Sequence, residues 1–375
     1  ADWVGRLPPS IRSRALRRLA GRMPHGVPRD RIATFPAFGL RHALRRQTMR
    51  SIDRETQVAL WAGQRFSELV CGHGFGGAAG VFGYNGECLE LVTAARAAGL
   101  WTAVEQTIAA RDVLDRLRFE EQEAFPDWQP PMKDDHGRKA AARERAEWAE
   151  ADVIVCGSEF VRDSIAASGG PLARCVVVPY GIDVRFTVPE RLPHPGPLRV
   201  LTIGEVGLRK GAPYVLEAAR RMGRRATFRM VGPCGILPGP WAEMSRVIDM
   251  RGPVPRSEMA AQFAWADVML LPSICEGSAT AVYEALAAGL PVVCTPNTGS
   301  VVRDGQDGFI VPIRDVDAIA DRLATLAAKP ALRVEMGRSA MARAAGFTVE
   351  EYGRRLLAAL HRPARTPVLA SDTLR

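Results

Sequence analysis

VMLLPSICEGSATAVYEALAAGLPVVC, residues 268–294, carries the pattern from which the architecture of this chain follows. Val268–Leu271 is apolar without alternation, the signature of a strand buried on both faces. Pro272 ends it, because proline has no amide to give to a ladder. A loop of small residues follows, and a helix is predicted to begin near Ala279 with Ser278 as its cap. That helix runs through Glu284–Ala288, stops at Gly289, and Pro291 opens the next strand, Pro291–Cys294. Two continuously apolar strands joined by one helix form the repeating unit of a parallel α/β sheet.

The same alternation extends in both directions. In the second half, strands are predicted near Leu198–Ile203, Thr227–Val231 and Phe309–Val311, with a helix at Gly211–Met222. In the first half they are predicted near Ile32–Phe35, Glu68–Cys71, Gly80–Gly83, Trp101–Glu105, Val153–Cys156 and Val176–Val178. Residues 107–150 are charged and helical, interrupted by an exposed loop, PDWQPPMKDDHG, at 126–137. TVPERLPHPGP, Thr187–Pro197, has four prolines and reads as a stiff connection between two domains.

The 375 residues, at 40.7 kDa, suit two domains. With 47% apolar and 24% charged residues the composition is globular, which excludes disordered, collagen-like and repeat-array chains. No apolar window approaches a bilayer span. The seven cysteines form no C-x-x-C and several lie in apolar runs, so they read as core thiols in a reducing cytoplasm. Net charge is +9, but residues 1–50 hold twelve Arg against two Asp, a local excess of +10. Within that stretch Ile11, Ala15, Leu19 and Met23 recur every fourth residue among arginines, giving a basic amphipathic helix. Three readings stay open: the helix lies on an anionic membrane surface, its apolar edge packs on its own domain, or the patch attracts an acidic soluble substrate or a nucleic acid.

Two loops carry the chemistry. In an open parallel sheet, ligands sit beyond the carboxyl ends of the strands, where the 272–280 loop must lie. Gly277, Ser278, Ala279 and Thr280 keep bulk off the backbone, so amides at the helix start and the helix dipole suit a diphosphate. Glu276 and, eight residues on, Glu284 place a carboxylate on either side of it for two polyhydroxyl rings. On these residues alone, a capped helix with one surface Glu explains the spacing as well. The second loop, GEVGLRKG (Gly204–Gly211), sets Arg209 and Lys210 just before a helix start, a second place suited to phosphate.

VVVPYGID (176–183) with Phe186, GEVGLRKG, EGSATAVYE (276–284), AAGLPVV, TGS (298–300) and DGQDGFIVP (304–312) together resemble the family-4 glycosyltransferases of GT-B fold. The resemblance covers about 147–361; the first 145 residues match only in general character. It implies two Rossmann-like domains facing a cleft: an acceptor-side domain at 1–190 and a nucleotide-sugar domain at 196–347, with the last helix, within 348–375, packing back on the first. It also implies roles. Glu276 would face the hydroxyls of the donor sugar and Glu284 the ribose. Lys210, helped by Arg209, would neutralise the diphosphate and stabilise the leaving group, with Gly204 in the same loop and Gly277–Thr280 giving amides. The base would rest near Val231, Gly232, Arg251 and Val254. Members of this family retain anomeric configuration, use a nucleotide-diphosphate sugar and usually need no metal, so a UDP- or GDP-linked donor and no metal or other cofactor are expected here.

The chain departs from the pattern in three places. Glu205 stands where the family often has Arg. Where a His near the reacting carbon is often found, this chain has Glu105 and Gln106, read as acceptor-side candidates. The opening ADWVGRLPPSIRS shows neither the family's first strand nor its Gly-rich loop, so residues upstream of Ala1 are expected to be missing. His73, in CGHGFGG, is a further candidate for the acceptor side of the cleft; the glycines there leave no room for a dinucleotide-binding helix. Asp315 and Asp317 are read as helix-start residues in preference to a metal site. Asp134, Asp135 and His136 are too few for a complete one. The resulting expectation is a cytoplasmic retaining glycosyltransferase, peripheral on the inner face of the membrane, with a glycan, lipid-linked or small-molecule acceptor. The alternative is a non-catalytic nucleotide-sugar-binding or scaffold protein whose basic face contacts membrane or nucleic acid.

Overall fold

The computed structural model describes residues 26–49, 51–133, 135–183, 194 and 196–361. The basic helix expected at Pro9–Met23, Phe186, Asp134 and most of the Thr187–Pro197 connection lie outside the described residues. Residues 1–45 form a unit of their own. Its described part has a single 3-10 turn, Arg29–Arg31, and helix α1 (Pro36–Arg46), none of whose residues is buried. The strand expected at Ile32–Phe35 is coil leading into α1. Among the described residues no strand pairs with it, and a four-residue apolar run does not hold a strand by itself.

Residues 46–375 carry two wholly parallel sheets. The first is assembled from α2 (Ile52–His73), β1 (Gly80–Tyr84), α3 (Leu89–Ala97), β2 (Trp101–Gln106), α4 (Arg111–Ala124), α5 (Gly137–Glu150), β3 (Val153–Cys156), α6 (Glu159–Ala167) and β4 (Cys175–Val177). Its strands lie in the order β1-β2-β3-β4, with Ala103 opposite Val153 and Ile154 opposite Cys175. The second follows with β5 (Leu198–Ile203), α7 (Ala212–Met222), β6 (Ala226–Val231), α8 (Pro238–Met244), β7 (Ile248–Met250), α9 (Met259–Trp265), β8 (Val268–Leu271), α10 (Thr280–Ala287), β9 (Val292–Cys294) and β10 (Gly308–Ile310). Helices α11 (Val316–Ala328), α12 (Pro330–Ala344) and α13 (Val349–Leu360) close the described chain.

The second sheet is ordered β10-β9-β8-β5-β6-β7. The chain therefore builds one wing outward from β5 and the other outward from β8, and the order reverses between these two strands. That reversal opens a crevice at their carboxyl ends, where ligands of doubly wound sheets bind. Glu276 leaves β8 and Lys210 leaves β5, so both loops singled out in the sequence flank the crevice.

Two strand expectations are corrected and one strand is added. Glu68–Cys71 belongs to the 22-residue helix α2, which Ser51 caps by accepting a hydrogen bond from the Arg54 amide at 3.2 Å. Its buried residues include Thr56, Gly63 and Ser67, seven and four apart, so a helical face of small residues outranked a short apolar run. The added strand, β7, has three residues and one buried side chain, too little periodicity to read from sequence. Ser278 is not the cap of α10: Ala279 holds that position, and the Ser278 hydroxyl instead pairs with the Tyr283 hydroxyl at 2.6 Å. Asp315 does cap α11, accepting from the Ala318 amide at 2.8 Å. Cys88, Cys156, Cys275 and Cys294 are buried as expected of core thiols, but Cys234 is exposed.

The largest apolar core covers one face of the second sheet, and α4 joins it through Val113, Leu114 and Leu117; a second core covers the other face. Trp128, in the loop expected to be exposed, packs on the same core, and the Gln129 amide donates to the Gly235 carbonyl at 2.6 Å. Helix α13 lies on the first sheet: Ala359, Leu356 and Tyr352 pack with Val153, Val155 and Val178. No described helix is long and apolar enough to cross a membrane.

Candidate functional site

The crevice is built by two turns locked to each other. After β5, the 208–210 turn ends at Gly211, whose φ is +75° and where a Cβ would overlap the Pro272 carbonyl oxygen. Only glycine meets both demands, which brings the end of β8 against the turn. The Arg209 carbonyl then accepts the Ile274 amide at 2.9 Å. As a result, Glu276 Oε1 accepts from the Arg209 guanidinium and from Lys210 Nζ, each at 2.6 Å. Arg209 also donates to the Cys275 carbonyl at 3.0 Å. Glu276 is 9% exposed. Burial holds the Lys210 ammonium below its ordinary pKa, and the adjoining Glu276 carboxylate offsets this only in part.

The rest of the expected donor loop is sorted by its amides. Those of Glu276 and Ala279 are already given to the carbonyls of Asn297 (3.0 Å) and Thr298 (3.3 Å), so Ala279 is not an amide donor to a ligand. The Gly277 carbonyl accepts from the Ser158 hydroxyl at 2.5 Å. A Cβ on Gly277 would overlap the Thr107 carbonyl oxygen, so the loop after β2 lies directly against this glycine. Glu284, on α10, is engaged by Arg256 at 3.0 Å, a partner that the sequence offered no spacing signal to find. Val231, Gly232, Arg251 and Val254 do come together: the Gly232 amide donates to Gly252 and the Arg251 amide to Met230, both at 2.9 Å, and the Gly204 amide to Val231 at 2.9 Å. The Arg251 side chain is spent on Asp249 at 2.8 Å. Glu205 lines the same cavity as Arg209 and Lys210, so its carboxylate is not turned away from the basic pair.

The acceptor-side candidates do not converge. Gln106 is fully buried, donating to Glu144 (2.7 Å) and the Ile108 carbonyl (3.0 Å) and accepting from the Trp148 indole (2.9 Å). Every polar atom of its amide group is occupied inside the first sheet's core, so it faces no substrate. Glu105, one residue earlier, points to the opposite face, as alternation along a strand requires. It is 4% exposed and accepts from Tyr352 at 3.4 Å, and burial raises its pKa. His73 is exposed at the last turn of α2. Gly63, on the same helix, abuts Gly86 just beyond β1, and His73 lies ten residues further, about 15 Å along the axis, away from the strand ends. The polar groups at those strand ends are others. Asn85, Thr56, Glu87 and Arg111 line a cavity of about 190 Å³, and Asn85 accepts from both the amide (3.0 Å) and the hydroxyl (2.9 Å) of Thr107. Among the described residues no cluster of three His, Cys, Asp or Glu could hold a metal ion; His136 instead pairs with Asp53 at 2.7 Å.

Two parallel Rossmann-like sheets, with the last described helix returned to the first and a paired-turn crevice on the second, define the GT-B fold. Residues 197–329 match the family "Glycosyl transferases group 1". The putative colanic acid biosynthesis glycosyltransferase WcaL of Salmonella typhimurium is 31% identical over 192 residues, which are 46% of this chain and 47% of that protein. The GDP-mannose-dependent alpha-(1-6)-phosphatidylinositol monomannoside mannosyltransferase of Mycolicibacterium smegmatis is 29% identical over 217 residues, 50% of this chain and 56% of that one. Anabaena Alr3699/HepE, solved with UDP and glucose, superposes with a TM-score of 0.58 at 15% identity, covering 81% of each chain. The chain spans about half the length of the curated relatives it matches. The fold is that of the GT-B glycosyltransferases, and the part of the chain that matches a glycosyltransferase family is the group 1 domain at residues 197–329.

Proposed function

We propose that this protein moves a hexose from a nucleotide-diphosphate sugar to a glycan, lipid-linked or small-molecule acceptor, with retention of anomeric configuration. One observation carries the reading: a single buried carboxylate, Glu276, clamped between Arg209 and Lys210 in the crevice between β5 and β8. In the free site Glu276 neutralises the two cations. A diphosphate entering between them competes for both, and this releases Glu276 to accept hydrogen bonds from the donor sugar. As the bond from the anomeric carbon to the phosphate oxygen breaks, charge grows on the diphosphate. Lys210, Arg209 and the N-terminal end of α10 are fixed in place to stabilise it. The acceptor oxygen bonds to the same face of that carbon and its proton passes to the departing phosphate. Glu284 holds the ribose once Arg256 gives way. Charge neutralisation in this scheme falls to protein cations, so it calls for no resident metal or other cofactor.

The finer family-4 placement and the division into an acceptor-side part, 1–190, and a donor-side part, 196–347, belong to the same proposal. The acceptor is assigned to the 190 Å³ cavity at Asn85 and Arg111, next to the Thr107 loop that touches Gly277. Support for the donor class comes from a relative named for GDP-mannose and a neighbour solved with UDP, which leave guanine and uracil both in play. A cytoplasmic, membrane-peripheral location rests on the arginine-rich first 50 residues.

A second reading, a nucleotide-sugar-binding protein without turnover, is favoured by Gln106. It fills the expected His position with a side chain sealed in the core. A panel of UDP- and GDP-sugars, scored first by protection against thermal unfolding and then by transfer and hydrolysis, separates the two. Glu276→Gln should reduce turnover by at least 100-fold while the unliganded protein stays folded. Donor protection without turnover in the wild type would leave the binding protein, and protection by none of the panel would end both readings.

A further inference from the structure

We propose that Arg118, on α4, is a ligand of the donor diphosphate, presented from the first sheet's side of the site opposite Arg209 and Lys210. The inference rests on the donor reading above and adds a residue that no motif in the sequence marks.

Arg118, Arg209 and Lys210 line one cavity of about 320 Å³, within the range of small-ligand pockets. Helix α4 packs directly on the 208–210 turn, which brings the three cations together. Arg118 differs from three other buried or partly buried arginines that are paired with a carboxylate. Arg143 has Glu90 at 2.6 Å, Arg229 has Asp249 at 2.9 Å and Arg314 has Glu121 at 2.6 Å. No described carboxylate forms an ion pair with Arg118: the Asp115 carboxylate, one turn before it, accepts from Arg111 at 2.8 and 2.7 Å. Burial, together with the like charges of Arg209 and Arg111, lowers its pKa, and the nearby Asp115 carboxylate offsets this only in part. A cation held away from water among other cations disfavours the empty state, and that cost is offset when an anion arrives. The guanidinium fork suits two phosphate oxygens at once, which Lys210, a point charge, cannot match.

The rest of the wall narrows the ligand. Glu55 and Glu205 face the same cavity, and Gln129 lies beside them. Carboxylates repel a phosphate but accept from hydroxyls, so the cavity suits a molecule that is anionic at one end and polyhydroxylated at the other. A diphosphate esterified to a sugar has that form. The resemblance calls for a Gly-rich loop to enclose the donor phosphates from this side. Among the described residues the facing wall is supplied instead by α4 and the first turn of α2.

The test is calorimetric titration of the full chain with UDP, GDP, UMP and GMP, on wild type, Arg118→Gln and Arg118→Lys. The variant Arg118→Gln should bind the preferred diphosphate at least 10-fold more weakly, while its affinity for the matching monophosphate changes less than threefold. Arg118→Lys should recover part of the loss. Unliganded Arg118→Gln should melt no lower than wild type, because the charge it removes is repelled in the empty site. Diphosphate affinity within threefold of wild type would overturn the proposal, as would a fall of several degrees in the unliganded melting temperature, which marks a structural role. If the wild type binds neither diphosphate, the donor reading itself falls and this inference with it. That outcome is distinct from a wild type that binds beside an unaffected variant.

Discussion

Gly277 has no side chain because the Thr107 carbonyl occupies the space that one would need. Both sides of that contact are backbone, so neither can swing aside. Gly277→Ala must therefore push the loop after β2 away from the donor loop. We expect a loss of about 1–3 kcal/mol, the usual scale for overpacking, together with reduced turnover. Denaturant midpoints and donor kinetics measured side by side check this, and an alanine variant as stable and active as wild type would show the contact to be dispensable. Glu147 presents a different conflict. Fully buried, it accepts the amides of Gly86 (2.6 Å) and Cys88 (3.0 Å) and faces Arg143 at 3.6 Å, all of which favour the charged form. Burial outweighs them and raises the pKa to about 7. With a folded pKa above the unfolded value of 4.5, the native state holds this proton longer than the unfolded chain. Its stabilising contribution is complete below that value and is lost as pH rises towards 7, a swing of up to about 3 kcal/mol. Glu147→Gln should flatten urea stability against pH across this window, and parallel slopes for the two proteins would contradict it.

Among the elements, α11 shows how a motif is resolved by its surroundings. Asp315-Val316-Asp317 has the outline of a metal-binding pair, yet Asp315 caps the helix and Asp317 pairs with Arg221. Asp315→Ala should lower stability by about 1 kcal/mol, the ordinary worth of an N-cap, and leave the response of activity to divalent ions unchanged. A changed metal dependence would restore the metal reading. Helix α2 teaches the converse. SELVCG reads as a strand when taken alone, and only its continuity with the capped run from Ile52 reveals a helix. Local pattern identifies long elements well, but it leaves four-residue apolar runs undecided between strand and helix.

At the scale of the molecule, α4 is the joint between the first sheet and the core of the second. Its Glu121, fully buried, accepts from the Tyr214 hydroxyl at 2.9 Å and from Arg314 at 2.6 Å, residues 93 and 193 positions away. Removing the cation leaves a carboxylate in the interior. Arg314→Met should therefore cost about 3 kcal/mol, near the low end for breaking a buried pair because Arg314 remains partly exposed. Adding Glu121→Gln should recover much of that loss, and a double-mutant cycle with no coupling would refute the joint.

The strands of the second sheet were legible because each is a continuous apolar run closed by Gly or Pro. The crevice was legible because Glu276, Glu284, Arg209 and Lys210 follow such runs at short spacing. These features are local, and local sterics and hydrophobic burial settle them. Which side chains are free to meet a substrate was decided by tertiary packing alone. Gln106 is consumed by Trp148 and Glu144, Glu284 is held by Arg256, and Arg118 lies beside Arg209 with no ion pair to a described carboxylate. Each outcome depends on partners brought close by the crossing of helices and by the packing of helices and turns between the two sheets, and no spacing along a single chain encodes such a meeting.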